Sequence, residues 1–309
     1  MTNSAAEFSK FVAILGRGPG RSRALTRDEA RDAFGMVLRD EADPRQVGAF
    51  LMLLRFRGED ADEISGMVEA ARMTLKPIPM ADLDWPSYGA GRTRGAPWFL
   101  LSALALAQNG TRVFMHGSND YSSGITVEAG LAAIGTVPDR FTHTPLSALS
   151  PPMDVLLRMR ALFGLRSPVN TVARLLNPAD APASVDGVFH PPYINVHLGV
   201  AERLGRQRLV VLKGGGGEAE RVPLKPATAW LWDQRDGRSE RELPAVAPLP
   251  PLTPAEDTPA LLAAVWRDEA QPPMAVATVI ATIAIALLAM GRPATMDDAA
   301  RIWRDRLGG

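Results

Sequence analysis

Three glycines and two arginines share the turn Gly89-Ala90-Gly91-Arg92-Thr93-Arg94-Gly95. Residues without a Cβ let backbone N–H groups close around an anion, and Arg92 and Arg94 set fixed positive charge beside them. That reads as a phosphate cradle, and a plain loop between two elements fits the same letters. Further on, Met115-His116-Gly117-Ser118-Asn119-Asp120-Tyr121-Ser122-Ser123 offers imidazole, amide and hydroxyl groups able to donate to phosphate oxygens. A third stretch, Lys213-Gly214-Gly215-Gly216-Gly217-Glu218, follows a predicted strand. Its glycine run is costly in backbone entropy, which favours a mobile lid folding over an anion, with a solvated connector as the alternative.

The elements that must position these groups have legible boundaries. Residues 4–74 read as helices: Ser4 is placed to cap a first helix bearing Phe8, Phe11, Val12 and Leu15, and Gly16 and Gly18 stop it. Thr26 with Glu29, and Asp60 with Glu63, are capping boxes, while Asp43-Pro44 supplies a cap with proline in the first turn. Pro77, Pro79 and Pro86 make 75–88 extended and the natural hinge between domains. Beyond it, helical segments such as Trp98 to Ala107 alternate with short apolar strands at 111–115 and 208–212, the pattern of a largely parallel sheet with helices on its faces. Segments 227–232 and 239–243 flank Asp236-Gly237 as a hairpin. Thr258-Pro259 or Thr253-Pro254 opens a further helix, and Thr295 with Asp298 caps the last. The expected division is a helical domain over 1–75, which gains by packing against a second copy, and an α/β domain over 76–309.

Composition narrows the function. Thirty-four basic residues balance 34 acidic ones, so no net field draws in nucleic acid or an acidic membrane, and such a partner needs a local patch. Lysine occurs only at Lys10, Lys76, Lys213 and Lys225, leaving arginine, the better bidentate partner of phosphate and carboxylate, as the main cation. Without cysteine there is no disulfide, thiolate metal site or thiol nucleophile, and dispersed His116, His143, His190 and His197 argue against a zinc centre. The N-terminus shows no basic region followed by an apolar run, so a cytoplasmic protein is expected. Met274 to Met290 is uncharged, but as a helix of 17 residues it spans about 25 Å, short of the ~30 Å of a bilayer, and reads as a buried helix.

The segments together resemble the anthranilate phosphoribosyltransferase-like family, glycosyl transferase family 3. Leu25-Thr26-Arg27-Asp28-Glu29-Ala30, then Gln46 to Arg55 and Gly58-Glu59, resemble its N-terminal helical domain. Gly164-Leu165-Arg166 through Asn170 with Leu176-Asn177-Pro178, and Gly187-Val188-Phe189-His190-Pro191, resemble two later motifs in the same order. The resemblance implies an α/β fold with a small N-terminal helical domain, in the two-domain arrangement of nucleoside phosphorylases and phosphoribosyltransferases. It also implies transfer of a phosphoribosyl group from phosphoribosyl pyrophosphate (PRPP) to anthranilate, with magnesium on the pyrophosphate. It places Arg160 where these enzymes bind the acceptor carboxylate, with Arg166 and Asn170 beside it, and Glu218 at the metal.

The chain also departs from the family's pattern. Gly89 and Gly91 lead into Arg92-Thr93 instead of a glycine pair and aspartate, and Phe99-Leu100-Leu101-Ser102 replaces an asparagine, serine and threonine cluster. Met115 and Asn119 replace a lysine and an arginine around the retained His116-Gly117, and Gly217 replaces the first acid of the metal pair, leaving Glu218 with Glu220 nearby. Each lost charged contact costs about 1.5–3 kcal/mol, roughly 10- to 150-fold in binding. The leading expectation is therefore an anion-binding member with ordinary transfer lost or altered. In it Gly89, Gly91, Arg92, Arg94, His116, Ser118, Asn119, Ser122, Ser123 and Lys213 form the phosphate side, and Arg160, Arg166 and Asn170 the carboxylate or second-phosphate side. Magnesium enters only if PRPP or pyrophosphate binds. The glycine run resembles a divergent branch, some of whose members bind nucleic acid without transferase activity. That makes DNA binding through Arg17, Arg21, Arg23, Arg158, Arg160 and Arg166 the alternative. A transferase with another acceptor, its metal site rebuilt from Glu218, Glu220 and Asp120, is the third reading.

Overall fold

Helix starts are where this sequence is most explicit. A computed structural model describes residues 3–89, 95–119, 124–246, 249–250 and 257–308. Four helices come first: α1 (Asn3–Gly16), α2 (Arg27–Leu38), α3 (Pro44–Arg57) and α4 (Ala61–Arg72). Thr26 Oγ1 accepts from Glu29 N at 3.2 Å and Glu29 Oε2 accepts from Thr26 N at 2.9 Å, which satisfies two donors that a helix start leaves bare. Asp43 accepts from Arg45 N at 2.8 Å, and Asp60 makes the third expected cap with Glu63. Glu63 is also buried, and its other oxygen accepts from Leu25 N at 2.8 Å, tying the approach to α2 onto α4. Ser4, expected as the cap, lies inside the first turn of α1, which begins at Asn3.

The sheet begins earlier than the prolines suggest. After β1 (Leu83–Tyr88) come α5 (Trp98–Gln108), β2 (Val113–Ser118), α6 (Val127–Ile134), β3 (Phe141–Pro145), α7 (Leu146–Leu149), α8 (Pro151–Arg158), α9 (Arg160–Phe163), α10 (Val169–Arg174), β4 (Ala183–Val188), α11 (Pro192–Arg203) and β5 (Arg208–Lys213). The chain finishes through β6 (Ala227–Asp233), β7 (Gly237–Leu243), α12 (Pro259–Trp266), α13 (Pro273–Ala289) and α14 (Met296–Asp305). Strand order is β3-β2-β1-β4-β5-β6-β7, parallel as far as β5 and antiparallel beyond it. The segment expected to be a hinge thus supplies a central strand. Pro86 is tolerated there because β1 pairs with β4 only at Leu83 and Asp84, so the ladder on that side has ended before the missing N–H. The β6–β7 hairpin turns at Gly237, whose φ of 76° suits glycine.

Alternation along the strands sorts the two faces of the sheet. Leu83, Trp85, Val113, Met115, Val185, Val210 and Leu212 join one apolar cluster with α5 and α13. Ser102 of α5 donates to the Val279 carbonyl of α13 at 3.0 Å within that layer. Among the described residues no helix is long and apolar enough to cross a membrane, and α13 is a buried layer of 17 residues. The opposite face carries Tyr88 and Phe114 into the cluster built on α1–α4, and that cluster also takes in Leu149, Met153, Leu156, Val169 and Val172. Asp84, His116 and Asp186 lie on this second face and are buried.

Candidate functional site

A cleft of about 280 Å³ opens between the helical lobe and the carboxyl ends of the central strands. One wall is the end of α3, bearing Arg55, with the link to α4, bearing Glu59, and another runs from Arg160 on α9 through Arg166 to Asn170 and Thr171 on α10. Phe189 and His190 beyond β4, with Tyr193 and His197 of α11, close the third side.

Glu59 is the fixed point of that geometry. Its side chain is almost wholly buried and accepts from Tyr193 Oη at 3.0 Å and from Thr171 Oγ1. Arg55 Nη1 lies 3.8 Å from Glu59 Oε1 and donates to the Tyr193 hydroxyl. A guanidinium only donates, so the tyrosine oxygen accepts from Arg55 and its proton points at Glu59. Burial pushes the Glu59 carboxyl above its ordinary value, against the pull of Thr171, Tyr193 and Arg55. Burial, reinforced by Glu59, pushes the Tyr193 phenol up to about 12, so it stays protonated at neutral pH.

Arg166 supplies the electrostatic demand. Its guanidinium carbon sits 5.9 Å from the Phe189 ring centroid, and it makes no ion pair among the described residues. Burial, then the charges of Arg160, Arg174 and Arg55, hold its pKa below the usual value for arginine. Like charges converging on a half-buried guanidinium favour an anion in the space between them. Arg174 plays another part: it donates to the carbonyls of Tyr88 at 2.6 Å, Asn170 at 2.8 Å and Gly217 at 3.3 Å, bracing β1, α10 and the glycine-rich loop together.

The expected phosphate side is differently built. His116 is fully buried, its Nδ1 2.8 Å from Tyr88 Oη and its Nε2 3.3 Å from Asp84 Oδ1, so it faces the interior and not a ligand. The reason is period two: His116 shares a face with Phe114, which packs against the helices, while Met115 points into the apolar layer on the other side. Ser118 ends β2, and Asn119 Nδ2 reaches Glu128 Oε2 at 3.5 Å. Gly89 follows β1, and Lys213 stands exposed at the end of β5. Gly91, Arg92, Arg94, Asp120, Ser122 and Ser123 lie outside the described residues.

The glycine run, expected as a lid, forms a turn in which Gly214 and Gly217 are buried and Gly215 is exposed. Gly214 N donates to the Val188 carbonyl at 3.0 Å and Gly217 N to the Gly214 carbonyl at 3.2 Å. A Cβ on Gly214 would stand 2.1 Å from the Glu218 carbonyl oxygen, and one on Gly187 2.1 Å from the Glu218 carbonyl carbon. Close backbone approach therefore explains glycine at Gly187 and Gly214, whereas a Cβ on Gly215 would meet nothing within 4 Å. Glu218 beneath the turn is 2% exposed and accepts from Ser87 Oγ at 3.1 Å, while Glu220 accepts from Phe99 N at 3.0 Å. With Gly217 in place of a second acid and both carboxylates committed to the protein, these residues do not fit a carboxylate-held magnesium. No group of three candidate ligands occurs among the described residues.

Arg160, Arg166 and Asn170 are thus brought together as expected, whereas His116 and Glu218 are withdrawn from the surface. Arg55, Glu59, Tyr193, Phe189 and Arg174 were not among the expected site residues. Glu59 sat in a recognised motif, Gly58-Glu59, and its four-residue spacing from Arg55 on a predicted helix was the available signal. In the expected DNA-binding set, Arg23 is engaged with Glu29 at 2.6 and 2.7 Å and Arg158 with Asp154 at 2.8 Å.

Comparison with known proteins follows the same lines. The model of the glycosyl transferase family helical bundle domain matches residues 11–74. Anthranilate phosphoribosyltransferase of Rhizobium rhizogenes is 31% identical over 233 residues, covering 68% of this chain and 66% of that protein. The Rhodopseudomonas palustris enzyme is 30% identical over 244 residues, covering 72% and 69%. The matched stretch thus spans about two thirds of those relatives' own length. The solved structure of the Saccharomyces cerevisiae enzyme in complex with PRPP and Mg superposes with a TM-score of 0.75 over 98% of this chain and 94% of that one, at 15% identity, a likeness of fold. The chain belongs to the anthranilate phosphoribosyltransferase-like family, glycosyl transferase family 3.

Proposed function

We propose that this family member binds an anionic, phosphate- or carboxylate-bearing small molecule in the cleft and that ordinary anthranilate phosphoribosyl transfer is lost or altered. The carrying observation is the contrast between Arg166, which lines the cleft with no ion-pair partner among the described residues, and the buried, protein-bound His116 and Glu218. Transfer of this kind rests on positioning and on neutralising the pyrophosphate, and those are the functions the withdrawn groups would serve. Arg160 and Arg166 hold the anion, Phe189 packs under Arg166, and Glu59 keeps Arg55 and Tyr193 in place. Exposed Phe56, Val155 and Leu162 on α3, α8 and α9 support pairing of two copies through the helical lobe.

Calorimetry tests this reading with benzoate, inorganic pyrophosphate, and PRPP with magnesium as separate titrants. Binding of a simple anion that Arg166→Ala weakens supports it; tight PRPP binding that depends on magnesium, with turnover of anthranilate, overturns it. The nucleic-acid reading keeps exposed Arg17 and Arg21 in its favour, but its set has two members already tied to carboxylates. It requires an affinity for single- or double-stranded DNA that falls steeply with salt, and a gel shift at low ionic strength with no retarded band removes it.

A further inference from the structure

Behind the cleft, the helix-facing side of the sheet holds buried charge that anion binding does not use. Asp84 of β1 is 1% exposed, and neither of its carboxylate oxygens has a hydrogen-bond partner among the described residues. His116 Nε2 stands 3.3 Å from Asp84 Oδ1, at ion-pair distance, and has no hydrogen-bond partner among the described residues. Asp186 Oδ2 accepts from His197 Nδ1 at 2.7 Å, and Oδ1 has no hydrogen-bond partner among the described residues. Arg206 donates from Nη2 to the carbonyls of Leu175 and Leu176 at 3.0 and 3.2 Å, while its buried Nη1 has no acceptor. Asp84 is in register with Ser184, and Asp186 follows two residues along on the same face. Asp84, Asp186 and Arg206 all line a single small cavity with Ser184, Asn177 and Arg174.

Buried polar atoms are rarely left unpaired, since each costs about 1–3 kcal/mol. Here three residues that carry such orphans, Asp84, Asp186 and Arg206, line the same space, whose volume of about 10 Å³ is at the lower limit of the room one water molecule needs. The charges choose the occupant. Two carboxylates, Asp84 and Asp186, and two guanidinium groups, Arg206 and Arg174, line the cavity, so an ion of either sign would unbalance it, whereas a neutral molecule that both donates and accepts can serve one oxygen of each carboxylate and the Arg206 donor. Burial pushes the Asp84 carboxyl above its ordinary value, opposed by His116 and reinforced by Asp186, which agrees with an incompletely solvated carboxylate at this place.

We infer that this cavity is a built site for one internal water molecule, which donates to Asp84 and Asp186 and accepts from Arg206. The water completes a polar chain that runs from Tyr88 through His116 and Asp84 to Asp186 and His197, the last of which lines the cleft. The inference does not depend on what the cleft binds.

The test is a high-resolution crystal structure of the full chain, from crystals grown in rubidium chloride. The expected result is one water peak within about 2.7–3.2 Å of the Asp84 and Asp186 carboxylates and of Arg206 Nη1, with no anomalous signal from rubidium. A dry cavity overturns the inference, and so does an anomalous peak, which would make this a cation site. In Asp84→Asn the peak is expected to persist, and in Asp84→Leu to vanish; a peak unchanged in Asp84→Leu contradicts the assignment. Should the leucine variant fail to fold, the wild-type map and the asparagine variant still decide.

Discussion

Arg166 and His116 are both polar residues where the family's pattern puts ligand-binding groups, and they finish in opposite surroundings. Arg166 stands on the link between α9 and α10, half-buried over Phe189 among other arginines, open to the cleft. His116 sits in mid-sheet, closed in by Tyr88 and Asp84. The difference comes from the elements that carry them. A loop at the mouth of the lobes can offer a long side chain to solvent, whereas a strand hands each residue to one face or the other, and the face that takes His116 is packed against helices. Arg166 keeps its charge turned to the cleft, whereas His116 is turned away from it, into the packed face of the sheet.

The largest expected effect belongs to the brace that joins the two regions. Arg174→Ala leaves the buried carbonyls of Tyr88 and Gly217 without that donor, each at about 1–3 kcal/mol, and removes a part-buried contact to the Asn170 carbonyl, so a loss of at least about 2 kcal/mol is expected in urea denaturation. A loss below about 1 kcal/mol would mean that the two regions are not mechanically joined there. Next, Arg166→Ala is expected to weaken anion binding by calorimetry roughly 10- to 150-fold, or about 1.5–3 kcal/mol, while the urea midpoint stays nearly unchanged. An unchanged affinity would move the anion site elsewhere.

Gly214→Ala sharpens the comparison from the strand side. A methyl group 2.1 Å from the Glu218 carbonyl should destabilise by about 1–3 kcal/mol through overpacking. A neutral outcome would restore the lid reading of the glycine run. The smallest effect is a pH slope. The folded-state pKa of Glu59 is raised, so the folded protein holds that proton more tightly than the unfolded chain, and the contribution is fully present at low pH. It is lost as pH rises from the ordinary value of 4.5 through the raised one, and Glu59→Gln should flatten that part of the stability curve measured by denaturant titration. A wild-type curve no steeper than the variant's would contradict the burial argument.

Local chemistry was legible in the sequence, and convergence was not. Thr26 with Glu29, Asp43-Pro44, Asp60 with Glu63 and the Asp236-Gly237 turn are patterns completed within a few residues, and each forms as read. The strand at Leu83–Tyr88 was hidden by Pro86, whose tolerance depends on where the β4 ladder stops. Recognised motifs brought Arg160, Arg166 and Asn170 to the cleft. Tyr193 lies 134 residues from Glu59, and no periodicity announces their hydrogen bond. His116 was misplaced because retained identity says nothing about which face of a strand is covered.

The most direct test of the contrast is a single-turnover assay with the protein in excess over PRPP, magnesium and anthranilate, following loss of anthranilate fluorescence. The account predicts no phosphoribosyl anthranilate above the uncatalysed background. Stoichiometric product, abolished by His116→Ala in a variant that still folds, would contradict it.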